Sequence, residues 1–525
     1  MFFAAWMSGN SVPSSRRISG VHAMVGVYSL RGGRRSLDIG LTTDIMTCQF
    51  TAISQNRRVR EFSIRSKLRV DARLKLLAAA VFTGTILVTS VFWIARSSNP
   101  SWPHGERKER SSGRTFAGQT EVQTRPLASR MAPGWDSERV WSGQDDWEPF
   151  VAADPSSNYV YQLTTRFGPK FSAVVFRRSS DNGRTWDSNQ FVAPVNVWQA
   201  DPQIQVANDG TIYVVWLDGP DWISKLVKSF DHGETWTIPV LIAPSLRWTD
   251  HPWLVISPDG KDVYVGLNQN ESYLVTSHDF GESFEVLIKT SDTKGRWWLH
   301  VGGAISPAGD VYFAVIDYPV DYRGVSGIYV ISSHDHGASW QTRLLDLSEP
   351  PPGCNQVAGC TYGFLSSTAG VAIDRSGRIM VAYNAGVAAL EPQQLWVTTS
   401  LDGMTWTRRM PISQPNAEAS NGFPAVASGP TAGDFRVVWQ GTKDGNVRGW
   451  NTYYRRTTDG GAMWDPITQL SNRTRGAPYK HREGYVFPYG DYLGLSVDSD
   501  GTNHVIWGES ISYDGPGGSW YTRGN

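Results

Sequence analysis

The chain has 525 residues with 49 acidic and 49 basic side chains, and Trp, Tyr and Phe make up 12% of it. Such a balance leaves no global field to draw the protein to nucleic acid, which is therefore excluded as a partner. Abundant Gly and aromatic residues, with no long Ala/Leu/Glu/Lys runs after the first hundred residues, argue against a helical protein and predict many short strands and turns.

Residues 1–56 show no usable periodicity. A basic stretch follows, with Arg57, Arg58, Arg60, Arg65, Lys67, Arg69, Arg73 and Lys75 against Glu61 and Asp71. From Leu76 to Ala95 the chain reads LLAAAVFTGTILVTSVFWIA, uncharged throughout and long enough to cross a bilayer as a helix. The positive-inside rule keeps residues 1–75 in the cytoplasm as a basic, disordered segment, makes 76–95 a transmembrane signal anchor and exports the remainder. The alternative is a signal sequence that is cleaved, giving a secreted protein. Residues 96–134, rich in Ser, Pro, Gly, Arg and Glu, read as a disordered tether to a domain spanning 135–525. Cys354 and Cys360 flank "CNQVAGC" in the exported part, where an oxidising compartment predicts a loop-bracing disulfide.

Beyond the tether one motif recurs. "SSDNGRTW" at Ser179 returns as "SFDHGETW" at Ser229, "SHDFGESF" at Ser277, "SHDHGASW" at Ser333, "SLDGMTW" at Ser400 and "TTDGGAMW" at Thr457, roughly fifty to sixty-seven residues apart. Two β-like runs around a Gly-containing turn precede each copy, as in "PQIQVANDGTIYVVWLD", and a further short run follows. Each unit is thus expected to be four antiparallel strands, a to d, with the Asp motif in the c to d turn: a propeller blade. A seventh unit ends the chain at strand c, while "ERVWSGQ" near residue 138 resembles an orphan strand d. The fold predicted is an all-β, seven-bladed β-propeller, with six blades as the alternative, closed by residues 138–144 pairing with the last blade.

The pattern S-x-D-x-G-x-[ST]-W resembles the Asp-box or BNR repeat of the sialidase (neuraminidase) superfamily, over about residues 138–525. The resemblance implies a propeller and a glycan ligand. It assigns Asp181, Asp231, Asp279, Asp335, Asp402 and Asp459 to structure, because a short carboxylate accepts N–H groups of its own turn and the following Gly supplies positive φ. Sialidases clamp a carboxylate with three arginines, the first in an Arg-Ile-Pro motif. Here the matching stretch is "DDWEPF", which has no arginine.

With the Asp motifs on one face, chemistry is expected on the other, where strands a start and strands b end. There the sequence offers Asp201, Asp250, His251, His300, Tyr489 and Glu509 as catalytic candidates, and Glu148, Arg166, Asp218, Asp317, Arg323, Asp491 and Tyr492 as substrate-binding ones. Trp147, Trp198, Trp248, Trp297 and Trp298 lie nearby for stacking on sugar rings. Carboxylates in such a setting suit the acid and base roles of a glycoside hydrolase. Alternatives are a non-catalytic module binding glycan or protein, and a polysaccharide lyase using His251 or His300 with Tyr489. No cofactor is expected, and no zinc motif or EF-hand spacing is present, although the many Asp residues leave room for Ca²⁺.

Overall fold

The computed structural model describes residues 49–51, 61–63, 132–140, 146–168, 170–319, 324–351, 367–414, 418–442, 450–471, 493–510 and 517–525. The predicted membrane helix, the tether up to residue 131 and the cysteine pair lie outside these. Among the described residues no helix is long and apolar enough to cross a membrane. Gln49–Thr51 and Glu61–Ser63 pair as a small antiparallel ribbon.

The main unit is a seven-bladed β-propeller of four-stranded antiparallel sheets. Its innermost strands a are Asp146–Ala153, Gln199–Val206, Asp250–Ile256, Arg296–Ile305, Ala369–Ile373, Asn421–Ser428 and Gly494–Val497, taken as blades 1 to 7. Strands b carry the apolar runs that made the blades legible. Ile212–Asp218 of blade 2 is buried along its whole length, because neighbouring blades cover both its faces. Alternate side chains of a strand b face opposite neighbours, so each blade shares a core with the next.

Blade 7 takes its strand d from the start of the domain: Arg139 pairs with Tyr521 and Val140 with Trp520. Ring closure therefore follows the expected route; of the predicted closing residues 138–144, residues 141–144 lie outside the described ones. Blade 4 differs from the others in the length of its strand d, Gln341–Ser348.

The recurring Asp turns show why they repeat. In blade 2, Asp231 Oδ1 accepts the Ser229 hydroxyl at 2.8 Å and Thr235 N–H at 2.9 Å, while Oδ2 accepts the Thr235 hydroxyl at 2.6 Å. Gly233 has φ of 86°, and a Cβ there would meet the Phe176 ring of blade 1 at 2.4 Å, so glycine is needed for conformation and for space. The closing aromatics pack on the preceding blade, Trp186 against Tyr521, Trp236 against Phe176 and Trp340 against Tyr264. Hydrogen bonds from Thr235, side chain first, hold the Asp231 carboxyl down to about 2. Its folded value lies below the unfolded one, so its stabilisation is present above about pH 4 and is lost as pH falls towards 2. Asp231→Ala is expected to cost on the order of 1–2 kcal/mol in urea-melt stability while sparing any activity of the folded protein.

Candidate functional site

Strand a of all seven blades lines a central cavity of about 280 Å³. Backbone, Gly, Ala and Val form much of its wall, and its polar lining comes from Gln205, His251, Thr368 and Ser496. Ionisable groups gather at the starts of strands a in blades 1 to 3.

Their placement follows from a repeated X-Pro step. Glu148, Asp201, His251 and Phe423, each preceding a proline, have φ between 51° and 55°, and in each strand the pairing register slips at that point. A residue before proline ordinarily prefers extended backbone, and positive φ in a non-glycine is strained. The slip is a β-bulge, which re-aims one side chain of the strand. Strain of this kind recurring in four blades is a built feature.

The bulges link neighbouring blades. Asp201 N–H donates to Glu148 Oε2 at 3.2 Å, His251 N–H donates to Asp201 Oδ2 at 3.3 Å, and His251 Nδ1 meets the His300 carbonyl at 2.6 Å. Thr165 completes the first link: its hydroxyl donates to Glu148 Oε2 at 2.6 Å and accepts Asp201 N–H at 3.2 Å. The sequence reading had no signal for Thr165, an ordinary strand residue until the bulge brings it under two acids. Burial, then the charges of Glu148 and Asp250, raises the Asp201 carboxyl well above the usual range. Burial and the adjacent acids thus favour the protonated form of Asp201 over the ionised one.

Other candidates have structural partners. Arg166 grips Asp146 through two hydrogen bonds of 2.7 and 2.9 Å, Lys225 pairs with Asp218, and Arg296 pairs with Asp317. Trp507 Nε1 donates to Glu509 Oε2 at 2.9 Å within blade 7, whose strand b packs against strand a of blade 1. The His300 ring is fully buried against Phe313 and Ser272, and burial lowers its pKa to about 3, which keeps it neutral. Tyr489, Arg323, Asp491 and Tyr492 lie outside the described residues.

The aromatic rim is smaller than the sequence suggested. Trp147, Trp297 and Trp298 are buried, because the strands of blades 1 and 4 begin before them. Trp248 stays exposed, at 40%. Its backbone, at φ of 56°, is tied to the b to c loop of blade 2 by Trp248 N–H to the Asp221 carbonyl at 2.7 Å. No group of three or more His, Cys, Asp or Glu among the described residues is arranged to hold a metal ion.

No protein-family model matches the chain, and no curated protein matches it. Solved structures with a similar fold include a Hadza microbial sialidase, 16% identical, with 73% of this chain and 66% of that chain covered and a TM-score of 0.40. An ulvan lyase, described as a new family of polysaccharide lyase, is 11% identical over 72% of this chain and 94% of its own, with a TM-score of 0.45. A Trypanosoma rangeli sialidase in complex with the inhibitor DANA is 11% identical over 72% and 55%, with a TM-score of 0.39. The present chain thus spans just under two thirds of the first and about half of the third. At this level the likeness is one of fold, and it passes no residue role or substrate to this chain.

Proposed function

We propose that the protein is a glycan-processing propeller, a glycoside hydrolase whose acid is Asp201 and whose second carboxylate is Asp250, with Glu148 and His251 setting their charge and position. The carrying observation is the raised pKa of Asp201, which rests on burial and on adjacent acids. Such a pair supplies a proton donor to a leaving oxygen and an ionised partner for water or for the developing positive charge. Trp248 offers an aromatic face to a sugar ring. The proposal keeps the domain tethered outside the cytoplasm by residues 76–95, with glycan as partner and no cofactor.

Screening the purified chain on sialosides and a panel of synthetic glycosides tests this reading directly. Turnover on at least one glycoside is expected, and Trp248→Ala is expected to raise KM roughly tenfold while changing kcat less, as loss of about 1.4 kcal/mol of stacking would.

The alternative is a non-catalytic glycan-binding module that uses the same face; the ion pairs that hold Arg166, Asp218 and Asp317 leave these residues fewer hydrogen bonds to offer a glycan under either reading. This alternative predicts retention on glycan arrays without turnover.

A further inference from the structure

The seven joints between blades are not alike. Where strand b of a blade faces the preceding blade, its first, third and fifth residues fill the joint. These are Ile212, Val214 and Trp216 in blade 2, Val311, Phe313 and Val315 in blade 4, and Phe435, Val437 and Trp439 in blade 6. Blade 3 uses Val263, Val265 and Leu267, and blade 5 uses Ile379, Val381 and Tyr383. Blade 7 keeps Val505 and Trp507 after Asn503.

Blade 1 breaks the rule. Its residues at these places are Val160, Gln162 and Thr164. Val160 packs on blade 7 in a core of only four buried residues, completed by Val151, Ile506 and Tyr521. Above it Gln162 and Thr164 are fully buried, and across the joint Ser519 shares the face of Tyr521 and is buried as well. Gln162 Oε1 and Nε2, Thr164 Oγ1 and Ser519 Oγ have no hydrogen-bond partner among the described residues. At the third and fifth places of strand b, six joints thus carry apolar side chains where this one carries an amide and a hydroxyl, at the place where the two ends of the domain meet. Unpaired Gln440 and Thr452 in the joint between blades 6 and 7 lie beside the apolar set Val438, Tyr454, Val505 and Trp507.

Buried polar groups without protein partners take ordered water or weaken the contact that hides them. We propose that the joint between blades 7 and 1 is a hydrated seam, and that the ring opens there first.

Hydrogen exchange on the full chain, followed by mass spectrometry, tests the proposal. Peptides from 517–524 and 160–167 are expected to open more readily than strand c of blades 2 to 5, by about tenfold or more in protection. Replacing the polar pair by Gln162→Leu with Thr164→Val is expected to slow exchange in 517–524 about tenfold and to raise the melting temperature, since it removes unpaired polar atoms and adds apolar burial. The reverse change at a control joint, Val214→Gln, is expected to speed exchange locally in blades 1 and 2. Uniform protection around the ring would overturn the proposal. So would an apolar pair that leaves exchange at 517–524 unchanged or faster, because the polar groups would then be satisfied within the protein.

Discussion

Asp201→Asn is expected to abolish glycoside turnover, a loss of about 10²–10⁴-fold in kcat, while making the folded protein more stable at neutral pH. Both effects have one cause. Asp201 sits buried beside Glu148 and Asp250, so its folded pKa lies above the unfolded value. Across the pH range between those values the folded state holds a proton that the unfolded chain has released. Stability therefore declines as pH rises through that range, and an amide, which cannot ionise, removes the decline. In a hydrolase the same proton is the one given to the leaving oxygen, so activity is expected to fall as pH passes the raised pKa. Asp250→Asn is expected to remove turnover too, with the fold intact by circular dichroism. Full activity in both variants would take these residues out of the mechanism. A stability gain in Asp201→Asn without any turnover in the parent protein would favour the glycan-binding reading.

The parts of the fold that were legible in the sequence are those set by local chemistry. Buried strands b announce themselves as unbroken apolar runs, and the Asp turns carry their own acceptors, donors and glycine. Counting these was enough for seven blades and for a closing strand from the start of the domain. The site was harder to read because it depends on contacts between blades. Pro149, Pro202, Pro252 and Pro424 marked the right positions, but the usual preference of a pre-proline residue is extended, and here ring geometry imposes the left-handed bulge instead. The ion pairs were hidden for a related reason. Arg166 and Asp146 meet because strands a and b of blade 1 pair in a register that places them opposite each other, twenty residues apart in sequence. Trp297 and Trp298 look like rim aromatics until strand a of blade 4 is seen to begin at Arg296.

The second large effect is expected at the closing segment. Trp135 is 5% exposed, lies edge-on to Tyr454 of blade 6 with ring centroids 4.9 Å apart, and bridges by backbone to Gly524. Asp136 N–H donates to the Arg523 carbonyl at 2.7 Å, and the Thr522 hydroxyl donates to the Asp136 carbonyl at 2.8 Å. Arg139 reaches across to blade 1, donating to the Arg184 carbonyl at 2.6 Å. This short segment thus ties blade 7 to both its neighbours. Trp135→Ala is expected to cost about 3–5 kcal/mol, the usual range for emptying a buried tryptophan site. Deleting 135–145 should do more, because it also unpairs strand c of blade 7 and leaves an open sheet edge prone to association. The check is a chemical melt of both variants together with size-exclusion chromatography. Loss of the cooperative transition in the deletion, with restoration by a synthetic peptide of residues 132–145, would show that the strand acts by closing the ring. An unchanged melt would mean that blade 7 holds without it.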